Sequence, residues 1–453
     1  MSKTVTKKYS MDMCEGPILK KMLLFALPLM ASSLLQLLFN AADIIVVGRF
    51  AGDNSLAAVG STTSLINLLV NLFMGCSIGA NVLVARFFGA KKSDELSETV
   101  HTTMALSIVS GLILTVIGVI GAPVILELMQ TPEEVLELAV IYLRTYFCGM
   151  TSMMVYNFGA AILRAIGDTK RPLYYLIIAG VINVVFNLFF VIVLKWDVFG
   201  VGLATTISQT ISAVFIVRCL MNEQEAIRIY PKKIRIYKDK LLTILQIGLP
   251  AGFQGTLFSL SNVFVQSSVN LFGSTVMAGN SAAQNIEGFI YVSTNAFHQA
   301  SISFTSQNCG AGKYERINKI LLVAQGCTVV IGSVFSLSAV AMGPLLLGLY
   351  TTSAAVVEAG MVRLKLIGSF YALCGIMDTM VGSLRGMGYS FVPMVVSLLG
   401  ACATRLLWLA TVFQMDAFHT IETVYIIYPI SWVLTAVAHI ITFMIVRKRI
   451  EKR

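Results

Sequence analysis

Leu27-Pro28 recurs about 222 residues further on as Leu249-Pro250, Asn40 as Asn262 and Phe50 as Phe272. After one residue of drift, Gly89-Ala90 falls on Gly310-Ala311, Leu163-Arg164 on Leu384-Arg385, Gly167 on Gly388 and Pro172 on Pro393. A chain written twice in one register must fold as two related units. Hydrophobicity says what those units are made of. Of the 453 residues, 57% are hydrophobic and 12% charged, against roughly 25% charged in soluble domains. The apolar residues gather in about twelve stretches, near 19–50, 55–88, 95–122, 135–165, 172–194, 199–221, 241–272, 275–308, 316–349, 355–385, 392–414 and 420–446. Each is long enough to cross roughly 30 Å of hydrocarbon. The expectation is an all-α polytopic membrane protein of about twelve transmembrane helices in two six-helix bundles.

The net charge of +10 would suit a nucleic-acid partner if it were clustered on one face, but it alternates along the chain. Lys3, Lys7, Lys8, Lys20 and Lys21 precede the first span; Arg86, Lys91 and Lys92 follow the second; Arg164, Lys170 and Arg171 follow the fourth. Arg228, Lys232, Lys233, Arg235, Lys238 and Lys240 join the sixth to the seventh. Lys313, Arg316 and Lys319 follow the eighth, Arg385 ends the tenth, and Arg447, Lys448, Arg449, Lys452 and Arg453 close the chain. The intervening loops are neutral or acidic, as at Glu127, Glu133, Glu134 and Glu137. Positive loops stay in the cytoplasm. This pattern predicts a multi-pass protein of the cell membrane with both termini cytoplasmic, lipid around it and no nucleic acid.

The predicted organisation is a cytoplasmic tail over 1–18, a first lobe of six spans over 19–221, a charged linker over 222–240, a second lobe over 241–446 and a basic tail over 447–453. An even number of spans per lobe makes the repeats parallel, the arrangement of transporters that rock two halves around a central site. Residues 1–17 are polar, and the long apolar run after them lacks a cleavage site, which reads as an uncleaved first span. Cys14, Cys76, Cys148, Cys219, Cys309, Cys327, Cys374 and Cys402 are scattered without C-x-x-C spacing, which indicates reduced packing residues and no resident metal. Pro28 and Pro250 each remove one helical hydrogen bond and should bend their helices.

Ionisable and amide side chains within spans are the functional candidates. Gln36, Asn40 and Asp43 follow a four-then-three spacing that puts all three on one helical face. Asn183 and Asn187 stand one turn apart in the fifth span, with Asn157 in the fourth and Thr205 in the sixth. A carboxylate among amides and hydroxyls suits either a proton that comes and goes or a partly dehydrated Na⁺. Interhelical hydrogen bonding explains most of the amides equally well, but not Asp43, whose sole basic sequence neighbour is Arg49. The second half offers Glu287, Asp378 and Arg405, with Arg363, Lys365, His298 and His439 nearby. Two acids and three bases there suit structural ion pairs, or else a cation site at Glu287 or Asp378. Among 21 methionines, Met150, Met153 and Met154 offer an adaptable surface or ordinary packing.

With these residues in view, the chain resembles the multidrug and toxic compound extrusion (MATE) antiporters over about residues 15–447. The resemblance rests on Leu27-Pro28, Asn40-x-x-Asp43-x-x-x-x-Gly48-Arg49, Ala85-Arg86-x-x-Gly89-Ala90-Lys91 and Leu163-Arg164-Ala165-x-Gly167-Asp168-x-Lys170-x-Pro172. It extends to Gln307-x-x-Gly310-Ala311-Gly312 and Leu384-Arg385-Gly386-x-Gly388, and is strongest toward the bacterial DinF-like branch. It implies a V-shaped pair of lobes exporting amphipathic, often cationic drugs or toxic metabolites by alternating access. Export would be driven by returning H⁺ or Na⁺, with no cofactor and as a monomer. Asp43 matches the acid implicated in cation coupling, and Gln36, Asn157, Asn183 and Thr205 match its polar neighbours. The chain departs from the pattern at Asn187, where a second acid is common, and over Gly252–Leu260, which lacks the seventh-span acid of other branches.

The nearest alternative is a flippase of lipid-linked saccharides from the same superfamily, whose phosphates would call for several cationic side chains in the cavity. Arg144, Arg363, Lys365 and Arg405 are the only ones well inside spans, and one of them is in the first half. A non-transporting membrane scaffold would tolerate Asp43→Asn. No phosphate loop, nucleophile elbow or HExxH motif is present, so an enzyme is not expected. The Gly-x-x-x-Asp-Arg/Lys-x-Gly-Arg-Arg loop of major-facilitator transporters is absent as well.

Overall fold

Uninterrupted apolar runs with few breakers become long helices, and the breakers fix where they stop. In the computed structural model, which describes residues 10–224 and 226–451, the first half forms α1 (Ile18–Phe50), α2 (Asp53–Gly89), α3 (Ser93–Leu128), α4 (Glu133–Cys148), α5 (Met150–Ala165), α6 (Lys170–Leu188) and α7 (Asp197–Met221). The second half forms α8 (Lys238–Asn270), α9 (Ser274–Gly310), α10 (Glu315–Ala341), α11 (Gly343–Gly348), α12 (Ala354–Leu366), α13 (Tyr371–Gly386), α14 (Phe391–Ser397), α15 (Thr404–Ala410) and α16 (Ile421–Glu451). Lys3, Lys7, Lys8, Lys452 and Arg453 lie outside the described residues. Among the described residues, ten helical segments are long and apolar enough to cross a membrane, or eleven if α4 and α5 form one span bent by 44°. The remaining expected span is α9, whose 37 residues carry too many hydroxyls and amides to stand out as apolar. Asn280, Ser293, Thr294, Ser301, Thr305, Ser306, Gln307 and Asn308 are all buried along it.

The chain divides into two compact units, and the sequence midpoint is not the divide. Ala31–Gly252, with the segment ending at Asp12, makes the first unit; Met13–Met30 and Phe253–Arg453 make the second. Both α1 and α8 are therefore shared, each cut two residues after its proline, Pro28 or Pro250. The linker 222–240 lies in the first unit. It is held there by Tyr230 N–H on His101 Nε2 (3.1 Å), Tyr237 N–H on Thr102 Oγ1 (3.2 Å) and an ion pair from Lys240 to Glu95. In the second unit Met13 is sealed in the same manner, its N–H on Gln307 Oε1 and its carbonyl on Asn308 Nδ2, each at 3.1 Å.

Apolar surface alone does not drive helices together in lipid, because the tails are as apolar as leucine; close backbone approach and polar contacts do. Within the first unit, α2 and the front of α8 meet through two G-x-x-x-G steps. A Cβ on Gly75 would stand 2.2 Å from Gly252 N, and one on Gly79 would stand 2.2 Å from Ile244 O. In the second unit the matching front of α1 meets α9 through bulk, with Phe25 edge-on to Phe304 at 5.8 Å.

The duplicated Leu-Arg-x-x-Gly motif acts as a helix stop. Gly167 and Gly388 take φ of 90° and 94°, a left-handed conformation that glycine adopts without penalty. Asp168 N–H then returns to Leu163 O (2.9 Å), and Tyr389 N–H to Leu384 O (3.0 Å), the pattern that closes a helix C-terminus. Asp168 also starts the next helix, its Oδ1 accepting from the N–H groups of Lys170 and Arg171 at 3.1 and 3.2 Å.

Candidate functional site

In the first unit Asp43 is half-buried on α1, and Asn187 of α6 donates from Nδ2 to its Oδ1. The same nitrogen lies 3.3 Å from Asn183 Oδ1, one turn back. Asn183 Nδ2 reaches Thr205 Oγ1 of α7 at 3.4 Å, and that hydroxyl donates to Val201 O at 3.0 Å. One polar chain thus joins three helices and ends on a carboxylate. Asn187 is 1% exposed, and its Oδ1 accepts no hydrogen bond among the described residues. A buried acceptor beside a carboxylate is the arrangement that favours a proton donor or a hard cation. Directly after Asn187 the helix widens into a π turn over Phe189–Val193, a distortion frequent at functional sites.

The other expected neighbours stand apart. Gln36 and Asn40 are exposed, and neither hydrogen-bonds to Asp43. Asn157 donates to Met153 O of its own helix (2.8 Å). No ion pair joins Asp43 to Arg49 among the described residues. Tyr142 and Tyr146, one turn apart on α4 with ring centroids 5.9 Å apart, lie within electrostatic reach of Asp43. No feature of the chain's spacing signals this, because nothing local relates α4 to α1.

In the second unit the charges form two groups. Glu287 of α9 is gripped by Arg363 of α12, Nε on Oε1 at 2.9 Å and Nη2 on Oε2 at 2.7 Å. Arg363 Nη1 adds Asn280 Oδ1 at 2.8 Å, which Tyr425 Oη also reaches at 3.2 Å. The pair is balanced and buried, the arrangement expected of structural partners. Arg405 is buried beside it, Nε on Ser431 Oγ at 3.1 Å and its guanidinium over the Tyr428 ring at 4.2 Å. The second group surrounds Asp378, whose backbone carbonyl meets His298 Nδ1 at 2.6 Å. Arg385 lies within electrostatic reach of Asp378 and donates to Gln254 Oε1 at 2.9 Å. Lys365 is exposed, and His439 meets Ser397 through its Nε2 at 2.9 Å. At the starts of α3 and α8, Glu95, Glu98 and Asp239 bring carboxylates within 4.8 Å of one another. Lys240 fills that cluster, 2.7 Å from Asp239 and 3.7 Å from Glu98.

Long helices in two duplicated units, with ionisable groups buried inside each, define the class: a polytopic helical membrane protein built as secondary transporters are. The MatE family model matches the chain twice, over residues 28–189 and 250–408, once in each half. The chain belongs to the MatE family. It is similar to the probable multidrug resistance protein YoeA of Bacillus subtilis (strain 168), 29% identical over 404 residues that span 87% of this chain and 86% of that protein. It is similar as well to the multidrug export protein MepA of Staphylococcus aureus (strain bovine RF122 / ET3-1), 22% identical with 83% of both chains covered. Among solved structures it shares its fold with the outward-facing conformation of a multidrug resistance MATE family transporter of the MOP superfamily, at TM-score 0.91 and 22% identity over 100% of both chains.

Proposed function

We propose that this chain is a secondary multidrug exporter that moves amphipathic, often cationic molecules out of the cell in exchange for H⁺ or Na⁺. Family membership and the multidrug proteins it resembles support export. The observation that carries the coupling role is Asp43, held by Asn187 and linked through Asn183 to Thr205. With Asp43 ionised, the carboxylate and the free Asn187 oxygen attract a cation; with the cation taken up, the site is neutral and drug release follows. Pro28, which leaves α1 short of one backbone hydrogen bond, is where that helix would flex between the two states. The alternating positive loops support a cell-membrane protein with both termini in the cytoplasm.

A potential of 100 mV is worth about 2.3 kcal/mol per charge moved inward. That sustains roughly a 50-fold gradient of a neutral drug, since about 1.4 kcal/mol is tenfold. A monovalent cationic drug exchanged for one H⁺ or Na⁺ is electroneutral and draws nothing from the potential. The test is ethidium efflux from energised cells stripped of their own pumps, with wild type compared to Asp43→Asn at matched expression. Efflux in the wild type and its loss in the variant are expected. Equal efflux from both would move coupling to the second unit, and no efflux from a well-expressed wild type would overturn the multidrug reading.

A further inference from the structure

The second unit buries a cation that no carboxylate neutralises. Arg405 is 2% exposed, and among the described residues no acid lies within ion-pair distance of it. Glu287 is committed through both oxygens to Nε and Nη2 of Arg363. A guanidinium has five N–H donors. One goes to Ser431 Oγ, and another approaches Asn262 Oδ1 at only 3.5 Å. Tyr428 covers one face at 4.2 Å, but the same ring also faces the Arg363 guanidinium at 5.5 Å. A buried charge is expensive unless compensated, and a single shared aromatic face offsets only part of that.

The position has a counterpart. Under the duplication Asn262 stands where Asn40 does, Val265 where Asp43 does, and Thr404-Arg405 where Asn183-Val184 do. The first half therefore carries an acid on its first span facing amides of its fifth, and the second half carries a base on its fifth span facing an amide of its first. A π turn over Leu398–Ala403 runs up to Thr404-Arg405, as another follows Asn187 in the first half. Asn262 is exposed, so the polar edge of the group opens along α8.

We propose that Arg405, Asn262 and Tyr428 form an anion site that takes the carboxylate of an amphipathic aromatic acid or zwitterion. The planar fork of free N–H groups matches a carboxylate bidentately. The exposed apolar side chains beside Asn262 on α8, Leu260, Val263 and Phe264, suit the aromatic part. Such molecules are those that an ionised Asp43 repels, so the two halves divide the substrate range by charge. The inference does not rest on Asp43 coupling, because binding to this site requires no ion gradient.

Equilibrium dialysis of 1-naphthoate against the purified full-length protein in detergent tests it, with 1-naphthamide as the neutral isostere. Wild type is expected to hold the acid about tenfold or more tighter than the amide, the size of one charge-assisted pairing. Arg405→Gln removes that preference, and Arg405→Lys, which keeps the charge without the fork, retains part of it. Gel filtration and thermal melting report whether each variant is folded. Asn262→Leu, at an exposed position, weakens naphthoate binding severalfold and serves if Arg405→Gln does not fold. Asp43→Asn keeps naphthoate binding, which separates failure here from failure of coupled export. No preference for the acid in wild type, or an unchanged preference in Arg405→Gln, would overturn the proposal.

Discussion

The two halves share a register, a helix-stop motif and a shared-helix plan, yet they handle buried charge in opposite ways. In the first unit the acid Asp43 has no basic partner among the described residues and is held by neutral amides. In the second unit the acid Glu287 is clamped by Arg363, and among the described residues the buried base Arg405 has no acid within ion-pair distance. The two copies keep the same scaffold and differ in the charges they bury. The lesson is that a buried carboxylate is not by itself a functional signal; what decides is whether its neighbours fix its charge or leave it free to change.

The largest effect that sharpens this contrast is on stability. Glu287→Gln strands the Arg363 guanidinium in a dry site and should cost about 3–5 kcal/mol, read as a lowered melting temperature in detergent. Asp43→Asn should leave that temperature unchanged, because an amide replaces an acid among amides. If both variants melt alike, the distinction between a structural and a functional acid fails. Next is Asn187→Leu, which deprives Asp43 of its one observed donor. A charge-assisted hydrogen bond is worth about 1.5–3 kcal/mol, so ethidium efflux should slow by tenfold or more at equal expression.

The shared helices are a second point of contrast. Gly248→Val puts branched bulk where even a Cβ would stand 2.5 Å from Cys76 Cα, and overpacking of this kind costs about 1–3 kcal/mol. The matching change in α1, Ala26→Val, enters a surface built from larger residues and should cost less; thermal melting of the two variants ranks them. The smallest effect is at the helix stops. Gly388→Ala forces a side chain into a left-handed conformation at about 1–2 kcal/mol, and chemical denaturation of the purified protein would resolve it.

Much of the architecture was legible from the chain. The stretches predicted near 55–88 and 275–308 became α2 and α9 with ends moved by one or two residues, because neither contains a proline to interrupt the helix. The 44° break between α4 and α5 was missed, since Gly149 inside an apolar run resembles any tolerated glycine. The site was legible in parts. Spacing along one helix placed Gln36, Asn40 and Asp43 on a shared face, but it could not say that the partner of Asp43 would be Asn187, 144 residues away. Nor could it foresee Arg363 reaching Glu287 across 76 residues, or two tyrosines of α4 approaching Asp43. These depend on how helices rotate about their axes, which is set by packing between segments. The shared membership of α1 and α8 escaped for the same reason: composition marks the charged linker as the boundary, whereas the contacts of Gly248 and Gly252 with α2 decide where the front of α8 belongs.

The central claim is that Asp43 couples cation entry to drug export. Its most direct test is transport by the purified protein in liposomes, with ethidium movement followed while a Na⁺ gradient, an H⁺ gradient or neither is imposed. The account predicts that one of the two gradients accelerates ethidium transport by wild type, and that neither accelerates it in Asp43→Asn. Gradient-driven transport by Asp43→Asn at the wild-type rate would contradict it.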